Sequence, residues 1–332
     1  MRYLAMFALL IISVSAMGAD RVVLYEEFMN CGCSYCWGAE PSVNAFVNNH
    51  VGNGLAVIRV HVSWPGSDPI YNANPSQQNV RKGFYNVTGV PHNEIDGVLS
   101  PSASSLEGAY SNRINQPTDL AISVARNGDD ETGSISVRLI AEAEIGTTVM
   151  TRLFATVVED DIPGAGHWSG SYFDQAFRYN LFGSAGVLVE FEAPYPDTLF
   201  FEADYDISSW VSDNLYLATF VQEYSSNDKE VINASWAKFM DLETGINNPD
   251  GFASDLPELI LHSNPCVGGI QVSAVMPGDS GGIISVYDTA GRLITSRVAS
   301  DYNSFQLDEP GLYIVRLESG GKVVTTRAIV TR

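Results

Sequence analysis

The chain has 332 residues, more than one ordinary domain, and its 45% hydrophobic and 17% charged residues make a globular composition that excludes a predominantly disordered protein. Its 39 acidic against 18 basic residues give a formal net charge of -21. That excludes nucleic acid as a partner, because phosphates reward clusters of Lys and Arg that are absent here, and it disfavours acidic lipid surfaces; acidity of this kind keeps an exported protein soluble.

Residues 1–18 read as an export signal, with Arg2 as the positive end, a short apolar run over 4–14, and Ala16-Met17-Gly18 as a small-x-small cleavage site. Maturation is expected near Ala19. The apolar run is too short to span a bilayer, and no later stretch approaches about eighteen apolar residues, so no integral membrane span is expected. No Cys follows the cut directly, so lipid attachment is not supported.

Residues 21–28 read as a buried strand, 29–32 as a loop, and Cys33 as the first residue of a helix that runs to 47. The orphan N–H groups and positive dipole end of a helix favour thiolate, so a Cys there drops from about 8.5 into the range of roughly 3.5–7.5. Cys33 is the candidate nucleophile, and Cys36, one turn deeper, the resolving thiol. Glu27, six residues before Cys33 on the feeding strand, is placed to take the proton from Cys36. Val90-Pro91 follows a helix-like run (77–86) and precedes a strand, where a cis-proline lays backbone beside the thiols. His92 is either a residue that tunes those thiols or a solvated loop residue. Residues 56–62 read as a second buried strand, 63–76 as a loop, and 101–115 as a polar helix or excursion that ends the first domain.

Between 117 and 245, runs at 120–125, 134–141, 151–158, 186–191 and 216–224 alternate apolar and polar residues, which is strand periodicity. Turns such as Asn127-Gly128-Asp129-Asp130 between them suggest an antiparallel sandwich of immunoglobulin-like shape. Asn127, Asp129, Asp130 and Glu131 are read either as calcium ligands or as plain hairpin-turn chemistry. The aromatic stretch 167–180 reads as a helix or excursion over the sheet. Residues 246–266 read as a linker, and strands at 269–275, 282–287, 292–298, 304–307, 312–317 and 323–331 as a small β-sandwich.

Strand, Glu27, Cys33-x-x-Cys36 at a helix start, and Val90-Pro91 together resemble the thioredoxin superfamily over roughly residues 21–100. EEFMNCGCSYCWGAEPSV, DPIYN and YNVTGVPHNEIDG are similar to the bacterial outer membrane protein 28 family, in which a thioredoxin-like domain precedes a β domain; LYLATFVQEYSSNDKEVINASWAKF extends the likeness into that domain. Asn264-Pro265, Val286-Tyr287-Asp288 with Gly291-Arg292, Pro310-Gly311-Leu312-Tyr313 and the ending Ile329-Val330-Thr331-Arg332 resemble the C-terminal sorting domain of type IX secretion. The resemblances imply an α/β thioredoxin-like domain (19–116), a β-sandwich domain (117–245) and a sorting β domain (267–332). They imply disulfide exchange with the thiols or disulfides of exported proteins, and carriage by the type IX secretion machinery to the medium or the outer-membrane surface. One departure stands out: Gly32 replaces the tryptophan that commonly precedes the first thiol, which is expected to leave Cys33 less shielded.

The alternatives stay open at this level. The CxxC of an exported chain is also read as a static staple or half of a zinc site, and the fold as a redox-silent scaffold for a binding protein. Cys31 either pairs with Cys266 or completes Cys31-x-Cys33-x-x-Cys36 as a soft-metal site, but the 5 His form no ligand-spaced pair, so neither metal nor cofactor is expected.

Overall fold

This computed structural model describes residues 19–147, 149–242, 258–261, 266–275, 281–289, 291–300, 302–307, 309–319 and 322–332. The expected export signal and most of the expected linker lie outside them. The chain divides into two compact units, Met1–Thr244 and Gly245–Arg332.

The first unit opens with β1 (Val23–Met29), α1 (Ser34–His50), β2 (Leu55–His61), α2 (Pro69–Ala73), α3 (Pro75–Phe84), β3 (His92–Ile95) and α4 (Leu106–Ile114). Its two short helices start where the sequence supplies both an N-cap acceptor and Pro at the first helical position. Asp68 accepts from the N–H groups of Ile70 and Tyr71 ahead of α2, and Asn74 from Gln77 N–H ahead of α3. The strands β1 and β2 pair in parallel and are buried at every position, whereas β3 runs antiparallel to β1. Val43, Phe46 and Val47 of α1 and Leu106, Ala109 and Tyr110 of α4 bury one face of these strands, meeting Val23, Tyr25, Leu55 and Val57.

The rest of the unit is β4 (Leu120–Gly128), β5 (Thr132–Ala141), β6 (Thr151–Glu159), β7 (Ile162–Pro163), β8 (Tyr172–Phe173), β9 (Ala176–Asn180), β10 (Val187–Val189), β11 (Asp197–Asp206), β12 (Leu215–Glu223) and β13 (Val231–Lys238). The strands on either side of the boundary expected at 116 share a sheet. One eight-stranded sheet runs in the order β13-β12-β6-β9-β2-β1-β3, with β10 beside β6. The stretch 167–180, expected as a helix or excursion, runs off the sheet as far as residue 175 and then ends in β9, which takes the free edge of β2 in parallel at Arg59–Ala176 and passes the ladder on to β6. A fully buried strand needs both edges satisfied, and on this edge of β2 the pairing with β9 at Arg59 is joined by Gln78 Oε1, which accepts from His61 N–H. The sheet curls until Asn233 of β13 accepts from Val22 N–H just before β1. A three-stranded sheet, β11-β5-β4, packs Ile135, Val137 and Leu139 against Leu153, Val157, Leu215 and Leu217 of the large one. The β4–β5 connection is hairpin-turn chemistry: the Asp129 carboxylate accepts from the N–H groups of Glu131 and Thr132.

In the second unit β14 (Glu258–Leu261), β16 (Gly269–Val275) and β19 (Tyr302–Gln306) form one sheet. The other follows the order β15 (Cys266–Val267), β21 (Lys322–Thr331), β20 (Gly311–Ser319), β17 (Gly282–Asp288) and β18 (Leu293–Val298). Ile270, Val272 and Phe305 of the first share a core with Ile284, Val286, Val315, Leu317 and Val330 of the second. Residues 258–261, expected in the linker, thus pair as a strand of this unit.

Candidate functional site

The helix expected at Cys33 begins at Ser34, with Cys33 as its N-cap; the Cys33 Sγ accepts from the Cys36 N–H at 3.1 Å. Cys33 is disulfide-bonded to Cys36. The Val90–Pro91 peptide bond is cis, and the Val90 carbonyl oxygen lies 3.6 Å from Cys33 Sγ, where a reduced thiol would donate to it. Four of the five residues singled out in the sequence, Cys33, Cys36, Val90 and Pro91, therefore meet at one end of α1.

The fifth, Glu27, is fully buried on β1, paired in register with Arg59 of β2. Arg59 Nε lies 3.6 Å from Glu27 Oε2, while its Nη1 donates to Glu40 Oε1 at 2.8 Å and its Nη2 to Asn44 Oδ1 at 2.6 Å. Neither Glu27 oxygen has a hydrogen-bond donor among the described residues. Burial pushes the Glu27 carboxyl up to about 7; Arg59 opposes this and the charge of Glu40 adds to it. Glu40 sits on α1 one turn past Cys36, so the ionic chain runs from β1 through β2 to the helix that carries the thiols. Arg59 and Glu40 escaped the sequence reading. The available signal was a charged residue inside the apolar run AVIRVHV, which a buried strand tolerates only with a partner.

Cys31 is a buried thiol and donates from Sγ to Ser67 O at 3.2 Å. Burial, with the nearby Asp68 carboxylate, pushes it up to about 11, which disfavours the thiolate at neutral pH. Asp68 Oδ2 accepts from the Cys31 N–H at 2.7 Å and pairs with His61 Nδ1 at 2.8 Å, tying the thiol loop to the end of β2. His92 pairs with Glu94 Oε1 at 2.7 Å, and its ring meets Phe28 in an edge-to-face contact. Among the described residues no group of three or more His, Cys, Asp or Glu is arranged to hold a metal ion.

The expectation that Gly32 leaves Cys33 less shielded is corrected. Cys33 is 4% exposed and Cys36 fully buried, although their neighbours Tyr35 and Trp37 are 82% and 43% exposed. A side chain at 32 would press on the Gly66 backbone and the Asn30 amide, which leaves no room for tryptophan. Trp168 and Phe173, from far along the chain, share one buried cluster with Cys31, Cys33 and Cys36, together with Ile70 and Val90.

No family model matches the chain, and no curated protein matches it. Among solved structures, HBP35 of Porphyromonas gingivalis is similar over 95% of this chain and 100% of its own, with a TM-score of 0.59 at 12% identity. The likeness is one of fold. A structural-genomics protein from Agrobacterium tumefaciens matches over 69% of this chain and 98% of its own, at a TM-score of 0.45 and 13% identity. No helix among the described residues is long and apolar enough to cross a membrane.

Proposed function

We propose that the chain is an exported protein whose N-terminal, thioredoxin-like region exchanges disulfides with other exported proteins through Cys33 and Cys36. The observation that carries this reading is a single one: the disulfide closes the first turn of a 17-residue helix, with Cys33 as N-cap beside the Val90 carbonyl. Once reduced, Cys33 is held as thiolate by the Cys36 N–H and the helix dipole. It bonds to one sulfur of a partner disulfide and expels the other as thiolate. Cys36 then passes its proton to Glu27 and attacks Cys33 Sγ, which releases the second partner thiolate and leaves Cys33–Cys36 oxidised. A carboxyl titrating near 7 suits that relay, because at neutral pH it both accepts and returns a proton. Val90 and Pro91 would hold the partner's backbone across the site. The β region that follows is read as immunoglobulin-like, and residues 267–332 as a type IX sorting domain that addresses the protein, through the periplasm, to the medium or the outer-membrane surface.

The test is trapping. Cys36→Ser should accumulate mixed disulfides with protein partners, visible on non-reducing gels, while Cys33→Ser should form none and lose insulin reduction. Equal residual activity in the two variants would overturn the roles. The near-complete burial of Cys33 favours a second reading, a secreted or surface-attached binding protein on a redox-silent scaffold, in which neither variant traps a partner.

A further inference from the structure

Residues 160–175 leave the large sheet after β6 and rejoin it at β9, and both ends of the excursion are pinned. Asp160 Oδ1 accepts from the Gln175 main-chain N–H at 2.6 Å and from its side-chain amide at 3.0 Å, and Asp174 Oδ1 accepts from Asp161 N–H at 3.0 Å. Asp161 and Gln175 both have left-handed backbones, with φ of 59° and 51°. Between these points the ladder is two residues long, β7 against β8. The tip rests on the thiol loop. His167 N–H donates to the Cys31 carbonyl at 2.9 Å, and Gly166 lies so close that a Cβ would run into that same oxygen and come within 3.3 Å of Cys31 Sγ. Next to it Trp168 is buried, edge-on to Trp37 at 5.1 Å, in the cluster that holds Cys33 and Cys36.

We propose that residues 160–175 are a strap that shuts the Cys33–Cys36 pair away from partner thiols and must lift off Cys31 before a partner reaches Cys33. The contrast along α1 supports it: Tyr35 and Trp37 are exposed while the sulfurs between and before them are not, and Trp168 and Phe173 of the strap share the buried cluster of the sulfurs with Ile70 and Val90. The strap is also built to open. The Trp168 indole N–H is buried without an acceptor among the described residues, and lifting gives it water. Segments with few long-range hydrogen bonds open sub-globally, without unfolding the rest. That lifting gates exchange rests on the proposed function; the shielding itself does not.

The experiment is the rate at which dithiothreitol reduces the full chain, followed by thiol quenching. One dithiothreitol thiolate bonds to Cys33 Sγ and expels Cys36 as thiolate; its second thiol then closes the reagent's ring and frees Cys33. Gly166→Ala sets a Cβ against the Cys31 carbonyl, and Trp168→Ala removes the seal. Leu217→Ala, in the core on the other side of the unit, controls for general destabilisation. Both strap variants should react about tenfold faster or more, and the control within about twofold of the wild-type protein, with all three folded by circular dichroism. Wild-type rates in the strap variants, or equal acceleration in the control, would overturn the proposal. Faster reduction by dithiothreitol with no insulin reduction in any variant leaves the strap standing and removes the exchange reading.

Discussion

Glu27 carries an ionisable group, with no hydrogen-bond donor among the described residues, into a fully buried strand, and its titration is a statement about stability. Its folded-state pKa is raised from 4.5 to about 7, so between those values the folded protein keeps a proton that the unfolded chain gives up. Stability from this group is full below about pH 4.5 and is lost as pH rises toward 7. Glu27→Gln removes the group. In urea unfolding the variant should therefore gain on the wild-type protein between pH 5 and pH 8, by roughly 2 kcal/mol or a little more. A constant difference across that range would show that Glu27 stays ionised against Arg59. The same substitution should lengthen the lifetime of mixed disulfides more than it slows their formation, since the proposed relay acts on Cys36 alone. At this scale the sequence was informative where chemistry is local, as in the pair Cys33 and Cys36 at a helix start, while Val90 and Pro91 were picked out by their place between a helix-like run and a strand. The partners were not legible, because Arg59, Glu40 and Trp168 reach the site from a second strand, a helix turn and a remote excursion. Only the folded chain makes them neighbours.

At the scale of elements, α3 is tied to β1 by charge as well as by apolar packing. Arg81 donates to both oxygens of buried Glu26, at 2.5 and 2.6 Å, and to Gln222 Oε1 of β12 at 2.8 Å, with Phe84, Tyr85, Phe154 and Phe220 around its guanidinium. Removing one partner strands a buried charge. Arg81→Met should cost about 3–5 kcal/mol in urea unfolding, and adding Glu26→Gln should recover much of the loss. Additive losses would mean that the two side chains act independently. Strands with alternating apolar residues, β5, β6 and β12, were readable within a few residues. The strand β11 was not: DTLFFEADYD carries Asp, Glu and Ala, which strands disfavour, and it is held by its ladder with β5 rather than by propensity. Nor was β9, whose AFRYN is too short to show a period; its place is fixed by the unpaired edge of β2.

For the whole molecule, the contrast between one large curled sheet in the first unit and a separate two-sheet core in the second makes a definite expectation. Each unit buries its own apolar residues, so deleting 245–332 should leave the first unit folded and as redox-competent as the full chain. Fusing 267–332 to an inert exported reporter should carry it outside a host with type IX secretion; a truncated protein that still reaches the outside would end the sorting role. The central claim, that Cys33–Cys36 is an exchanging disulfide rather than a staple, is tested most directly by its reduction potential in glutathione buffers, read by quenching and mass spectrometry. The account predicts a value among the exchange catalysts, about -120 to -270 mV, whereas a value below about -300 mV would mark a structural bond and contradict it.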